Sequence, residues 1–309
     1  ESHPMKKEGP GGIHSLFVPG VQENTLYKFL ITTEKGEKLY KADPFANYAE
    51  MRPGNASKIT SLKGFAWEDE KWEENRDKLN VFEQPIAIYE CHIGSWMKHP
   101  QTAEDEDGFY SYRELAPKLA QYVKKMGYTH VELHPVMEFL EDGSDGYPTS
   151  AYFAVSTRYG TPAEFAALVD ELHQVGIGVI LDWSPAQFPR YAGGLEKFDG
   201  TPLYEVKDPE MAVHPMWGTM LYNYDSPMVM DFLISNACFW LEVFHVDGLR
   251  MDDVDAMLYL DYGRKDGWTP NMYGSNENLQ AIEFLKHLNS ILKKRDPGAL
   301  LIAQEDGLW

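Results

Sequence analysis

From residue 86 onward, apolar positions switch between two rhythms. Strand-length apolar runs lie at 86–90, 129–133, 177–182, 246–252 and 300–304. Between them the spacing turns helical. Ser111-Tyr112-Arg113-Glu114 is a capping box, in which the serine hydroxyl serves a backbone amide of the first turn and the glutamate reaches back to the cap amide. It predicts a helix that turns Leu115, Leu119, Tyr122, Val123 and Met126 inward and stops at Gly127. Thr161-Pro162-Ala163-Glu164 repeats the design with proline at the first helical position. Its apolar face is Phe165, Leu168, Val169, Leu172 and Val175, and Gly176 ends it. Ser226-Pro227 opens a third helix, running to Phe244, and a fourth is predicted over 276–295. Apolar strands alternating with helices specify a parallel sheet covered on both faces.

The predicted fold class is α/β, with five parallel strands in residues 76–309 and long loops after the second, third and fourth. Long loops at the carboxyl ends of strands are the working surface of a (β/α)8 TIM barrel, here partial at about five of eight strands. A doubly wound sheet is the runner-up, but it needs a glycine-rich phosphate loop after a strand, and the chain has none.

Residues 1–75 read differently, as a partial β-sandwich. The run 26–32 is strand-like, Lys35-Gly36-Glu37 supplies a turn before Leu39-Tyr40, and Asp43-Pro44-Phe45 and Arg52-Pro53-Gly54 break the pattern. No strand is expected in residues 1–12, so this module is expected to lack its front. The charged stretch 67–80 reads as a connector.

Composition narrows the function classes. With 43% apolar and 13% aromatic residues the chain is globular. A net charge of −20 argues against nucleic acid or an anionic membrane as partner and suits a neutral substrate. Two distant cysteines, Cys91 and Cys238, fit a reducing, cytoplasmic setting. No apolar run has the length of a membrane span. No phosphate loop, dinucleotide fingerprint, nucleophile elbow or zinc motif occurs, so neither cofactor nor metal is expected. The histidines at 92, 130, 134, 173, 214 and 245 lack metal-ligand spacing and read as surface or core residues.

The chemistry concentrates at Val246-Asp247-Gly248-Leu249-Arg250-Met251-Asp252. Alternation puts Val246, Gly248, Arg250 and Asp252 on one side of the strand and Leu249 and Met251 on the other. An arginine and an aspartate at a strand's carboxyl end suit a barrel active site, and on spacing alone they suit a structural ion pair equally well.

Blocks spread along the chain resemble the 1,4-α-glucan branching enzymes of the α-amylase family (glycoside hydrolase family 13). Lys41-Ala42-Asp43-Pro44-Phe45 with Arg52-Pro53-Gly54 resembles that family's N-terminal carbohydrate-binding module. Tyr89-Glu90-Cys91-His92-Ile93-Gly94-Ser95-Trp96, Gly146-Tyr147, Arg158-Tyr159-Gly160-Thr161-Pro162 and Leu181-Asp182-Trp183 follow in the family's order. Asp247-Gly248-Leu249-Arg250 with Asp252 resembles the nucleophile block. Asp261-Tyr262-Gly263-Arg264-Lys265 and Glu277-Asn278-Leu279 through Leu285 resemble blocks particular to branching enzymes, and argue against a debranching or trehalose-releasing relative.

The resemblance implies retaining transglycosylation on an α-1,4-glucan such as glycogen or amylose, with transfer to a sugar 6-hydroxyl. Two carboxyl groups about 5–5.5 Å apart do such work, one as nucleophile and one as acid and then base. By resemblance Asp252 is the nucleophile, Arg250 holds it ionised and oriented, Tyr147 stacks on the sugar and Asp182 shapes the floor of the site. Three positions depart from the family pattern. The acid/base glutamate position reads Gln304, with Glu305 next to it on what should be the opposite face of the strand. Gln187 stands where the family has histidine, and Asp253 where it usually has alanine. A third family carboxylate would lie beyond Trp309, so an internal piece of a longer protein is expected. Two functional classes follow: a branching enzyme, or a degenerate homologue that binds glucan without chemistry.

Overall fold

The computed structural model describes residues 3–76, 78, 83–103, 105–305 and 307. Its centre is the parallel sheet, built from strands β1 (Ile88–Cys91), β2 (His130–Leu133), β3 (Gly178–Trp183), β4 (Gly248–Met251) and β5 (Leu300–Ala303). Each strand pairs with the next in sequence, in the order β5-β4-β3-β2-β1. Every residue of β2 and β3 is buried, as strands covered on both faces must be. Among the described residues the sheet has five strands in sequence order, the arrangement of a partial (β/α)8 barrel.

Both capping boxes form. Ahead of helix α2 (Tyr112–Met126; α1 is described below), Ser111 Oγ accepts from the Glu114 amide at 3.3 Å and Glu114 Oε2 accepts from the Ser111 amide at 2.9 Å. Gly127 closes α2 with φ +83°, a left-handed position that glycine adopts without a Cβ clash. Thr161 and Glu164 do the same for helix α3 (Pro162–Gln174). Helices α4 (Pro227–Val243) and α5 (Leu279–Arg295) complete the layer. The core between sheet and helices is large and aromatic: Tyr112, Tyr152, Phe165, Trp183 and Trp240 have at most 1% of their surface exposed.

Two segments differ from expectation. The stretch read as a connector contains helix α1 (Glu70–Arg76), while residues 77, 79 and 80 lie outside the described ones. Its single large apolar side chain, Trp72, gives a sequence pattern too weak to announce a helix. Tertiary contacts hold it: the Trp72 indole N–H donates to Asp247 at 2.8 Å, and Arg76 meets Asp296 at 3.1 Å. Ahead of the first expected strand, Lys6–Glu8 pairs with Ile13–Ser15, a fully exposed hairpin without an apolar face to signal it. Further antiparallel pairs join Leu26–Tyr27 to Ser57–Lys58 and Phe29–Thr32 to Lys38–Lys41. Among the described residues no helix is long and apolar enough to cross a membrane.

Candidate active site

Strand register assembles the site. Asp182 and Arg250 are register partners at the carboxyl ends of β3 and β4, so their side chains leave the sheet on one side. Glu132 on β2 pairs with Ile180, two residues before Asp182, and shares that side. Tyr147 arrives from the loop after β2. Gly146, before it, has φ +94°, and a Cβ there would meet the Pro135 carbonyl oxygen at 3.0 Å, so the turn that delivers the tyrosine requires glycine.

One guanidinium serves three carboxyl groups. Arg250 Nη1 lies 3.0 Å from Asp182 Oδ2 and 3.6 Å from Asp252 Oδ1, while its Nε lies 3.5 Å from Glu132 Oε1. The Tyr147 hydroxyl donates to Asp182 Oδ2 at 2.7 Å. Burial pushes the Asp252 carboxyl up to about 6; the charges of Asp253 and Asp182 add to this and Arg250 opposes it. The arginine therefore softens the shift without cancelling it, because its shortest contact is spent on Asp182. Burial also raises Asp182, whose side chain has no exposed surface and whose Oδ1 has no hydrogen-bond partner among the described residues.

The three positions that depart from the family pattern meet at Asp253. Gln187 Nε2 donates to Asp253 Oδ2 at 2.9 Å, and the Thr219 hydroxyl donates to Gln187 Oε1 and so fixes the amide. His214 Nε2 lies 2.9 Å from the same Asp253 oxygen. Its Nδ1 accepts from the Met216 and Trp217 amides at 3.2 Å each, which puts the ring proton on Nε2, facing the carboxylate. The Asp253 amide donates to Gln304 Oε1 at 3.3 Å.

Gln304 continues the strand ladder, its amide donating to the Met251 carbonyl at 2.9 Å. That keeps it on the side of Ile302, the register partner of Arg250. Glu305 has other surroundings: a Cβ on Gly307 would meet its Oε1 at 2.4 Å and Asp255 Oδ1 at 3.5 Å, and its charge helps to raise Tyr259. The structure thus brings Tyr147, Asp182, Arg250 and Asp252 together, sets Gln187 and Gln304 on Asp253, and turns Glu305 toward Asp255 and Tyr259.

Sequence reading missed Glu132 and His214. A charge inside the apolar run 129–133 was a usable signal for Glu132. No spacing rule ties His214 to Asp253. Among the described residues, Asp69, Glu73 and His245 have metal-ligand spacing at the opposite, amino end of the strands. Asp69 Oδ2 there is already the acceptor of His173 and His245, which suits a hydrogen-bonded cluster better than an open ligand set.

Comparison with known proteins fits this geometry. The family "Alpha amylase, catalytic domain" matches residues 105–185, and "Carbohydrate-binding module 48 (Isoamylase N-terminal domain)" matches residues 1–46. The 1,4-alpha-glucan branching enzyme of Butyrivibrio fibrisolvens is 55% identical over 309 residues, covering 100% of this chain. Along its whole length the chain is similar to branching enzymes of the α-amylase family. The branching enzyme of Protochlamydia amoebophila is 49% identical over 98% of the chain. The chain spans 48% and 41% of the lengths of these two curated relatives. Among solved structures, the pullulanase of Paenibacillus barengoltzii superposes with a TM-score of 0.71 at 20% identity, covering 97% of this chain and 46% of that one. The catalytic module of a glycogen-degrading pneumococcal virulence factor gives 0.70 at 17% identity, covering 99% and 45%. At such identities these two likenesses speak for the fold alone.

Proposed function

We propose that this chain carries the donor half of a 1,4-α-glucan branching site. It binds an α-1,4-glucan such as glycogen or amylose, cleaves it with retention at Asp252, and transfers the chain to a 6-hydroxyl to make an α-1,6 branch. No cofactor takes part, and the setting is cytoplasmic. In this reading residues 1–75 are the carbohydrate-binding module and residues 76–309 the barrel. Asp252 attacks the anomeric carbon, and Arg250 and Asp182 hold the polar floor below it. Tyr147, its hydroxyl tied to Asp182, presents its ring to the sugar.

The observation that carries the reading is the Asp252 carboxyl beside Arg250 at a strand's carboxyl end. A carboxylate with one long ion-pair contact at 3.6 Å keeps lone pairs for attack, whereas a structural ion pair would close on its partner. The proton for the leaving oxygen must come from elsewhere. Gln304 can donate a hydrogen bond and cannot transfer a proton; Glu305, the neighbouring carboxyl group, faces Asp255 and Tyr259 and can serve as acid/base only if the strand end re-aims it. Because the relatives matched along the whole chain are named as enzymes, we favour catalysis over glucan binding without chemistry. The test is Asp252→Ala in the intact protein. New α-1,6 linkages in amylose should vanish while glucan binding persists, since losing one member of a catalytic set removes most of the rate. Branching that survives Asp252→Ala refutes the assignment.

A further inference from the structure

The proposed reaction leaves Glu132 unused. Its side chain is 10% exposed, projects from a central strand of the sheet, and carries one of three carboxyl groups that share Arg250. Fully ionised, Glu132, Asp182 and Asp252 would leave two uncompensated charges around a single guanidinium. Burial makes that costly, so such clusters take up a proton.

Hydrogen bonding says where the proton goes. Asp182 Oδ2 is occupied by Tyr147 and Arg250, while Asp182 Oδ1 is buried without a partner among the described residues. Buried acceptors of this kind are rarely left unpaired. Glu132 and Asp182 stand on adjacent strands and share Arg250, and on protonation Glu132 becomes a donor. The groups facing it are Asp182 from β3, Arg250 from β4 and Glu90 from β1, with Glu90 itself bound to His134 at 2.8 Å. Burial first, then the charge of Asp182, lifts Glu132 to about 7 against the pull of Arg250.

We propose, resting on the reading of Asp252 as nucleophile, that Glu132 and Asp182 share one proton, carried by Glu132 and donated to Asp182 Oδ1. The neutral acid is a positioning residue. It completes the hydrogen bonds of Asp182 and leaves Arg250 free to face Asp182 and Asp252. Once the proton is lost, a third carboxylate competes for the guanidinium, Arg250 turns toward Glu132, and Asp252 loses its counter-charge. Turnover should therefore fall as pH rises through about 7, by a group that touches no substrate.

Isotope-edited infrared spectroscopy of the intact protein tests the proton directly. With 13C-labelled glutamate, a protonated glutamate carboxyl band should be present at pH 6, fade with a midpoint near 7 and be lost from the Glu132→Gln spectrum. A band missing at pH 6, or unchanged in Glu132→Gln, overturns the proposal. This arm reads the proton whether or not the protein branches glucan, so it separates failure here from failure of the functional reading. The second arm is the pH profile of glucosyl fluoride turnover. The Glu132→Gln amide can still donate to Asp182 but cannot ionise, so its alkaline limb should move up by more than about one pH unit. Glu132→Ala, which leaves Asp182 Oδ1 unpaired, should lose more of kcat/KM than Glu132→Gln does. An alkaline limb unmoved in Glu132→Gln refutes the positioning role.

Discussion

His173 offers the sharpest stability test, because both its ring nitrogens face buried carboxylates. Nδ1 lies 2.9 Å from Asp69 Oδ2 and Nε2 2.9 Å from Asp247 Oδ2. Two acceptors require two donors, so the ring is an imidazolium. Burial alone would lower its pKa, but the charges and hydrogen bonds of Asp247 and Asp69 prevail and lift it from 6.5 to about 9. That lift corresponds to about 3 kcal/mol of stability. Because the folded pKa is the higher one, the contribution is complete below about 6.5 and disappears as pH rises through about 9. The lowered carboxyls of Asp69 and Asp247 reflect the same contacts and are not added to it. His173→Gln keeps a hydrogen bond and loses the charge. Urea unfolding followed by tryptophan fluorescence should show a deficit of about 3 kcal/mol at pH 6, shrinking above pH 9 toward the roughly 1 kcal/mol of a neutral hydrogen bond. A deficit that stays constant from pH 6 to 10, or one well under 1 kcal/mol at pH 6, would show that the ring is neutral.

The other outcomes concern the groups proposed to react and their neighbours. If Glu305 is the acid/base, Glu305→Gln should reduce amylose branching by roughly 10²–10⁴-fold and spare a glucosyl fluoride, which needs no proton; Gln304→Glu should raise amylose turnover only if position 304 is the productive one. With Asp252 at about 6, fluoride turnover should fall as pH drops below that value and the nucleophile is protonated. Asp253→Asn removes one of the charges that raise Asp252 and should shift that acid limb downward; a limb that stays put would clear Asp253 of any such influence.

Much of the barrel was legible because its signals are local. A capping box is four residues long, and both boxes formed as the sequence specified. Strand alternation placed Arg250 and Asp252 on one side, and the register of β3 with β4 set Asp182 beside them. What escaped was held by distant partners. Helix α1 lacks an apolar stripe and is fastened through Trp72 to Asp247, 175 positions away. His214 reaches Asp253 across 39 positions, and its protonation follows from two backbone amides that no pattern announces. Glu132 stood in plain sight as a charge within an apolar strand, yet its meaning depends on how many carboxyl groups Arg250 must share.

The departures from the family pattern also change character once their contacts are known. Taken singly, Gln187, Asp253 and Gln304 read as three losses. In the fold they form one hydrogen-bonded unit. The Asp253 carboxylate is 10% exposed and needs donors, which Gln187 and His214 supply. Its amide, on a residue with φ +58°, is satisfied by Gln304. An aspartate introduced alone would bury a charge with too few donors, at a cost of several kcal/mol. A glutamine introduced alone would leave an amide to solvate elsewhere. Each substitution therefore makes the others tolerable, which is the expected behaviour of a polar network whose members act together. Random decay has no reason to produce three matched partners beside an intact Tyr147–Asp182–Arg250–Asp252 cluster. If Asp252 attacks as proposed, it does so beside a matched polar network, and proton transfer rests on a residue outside that network.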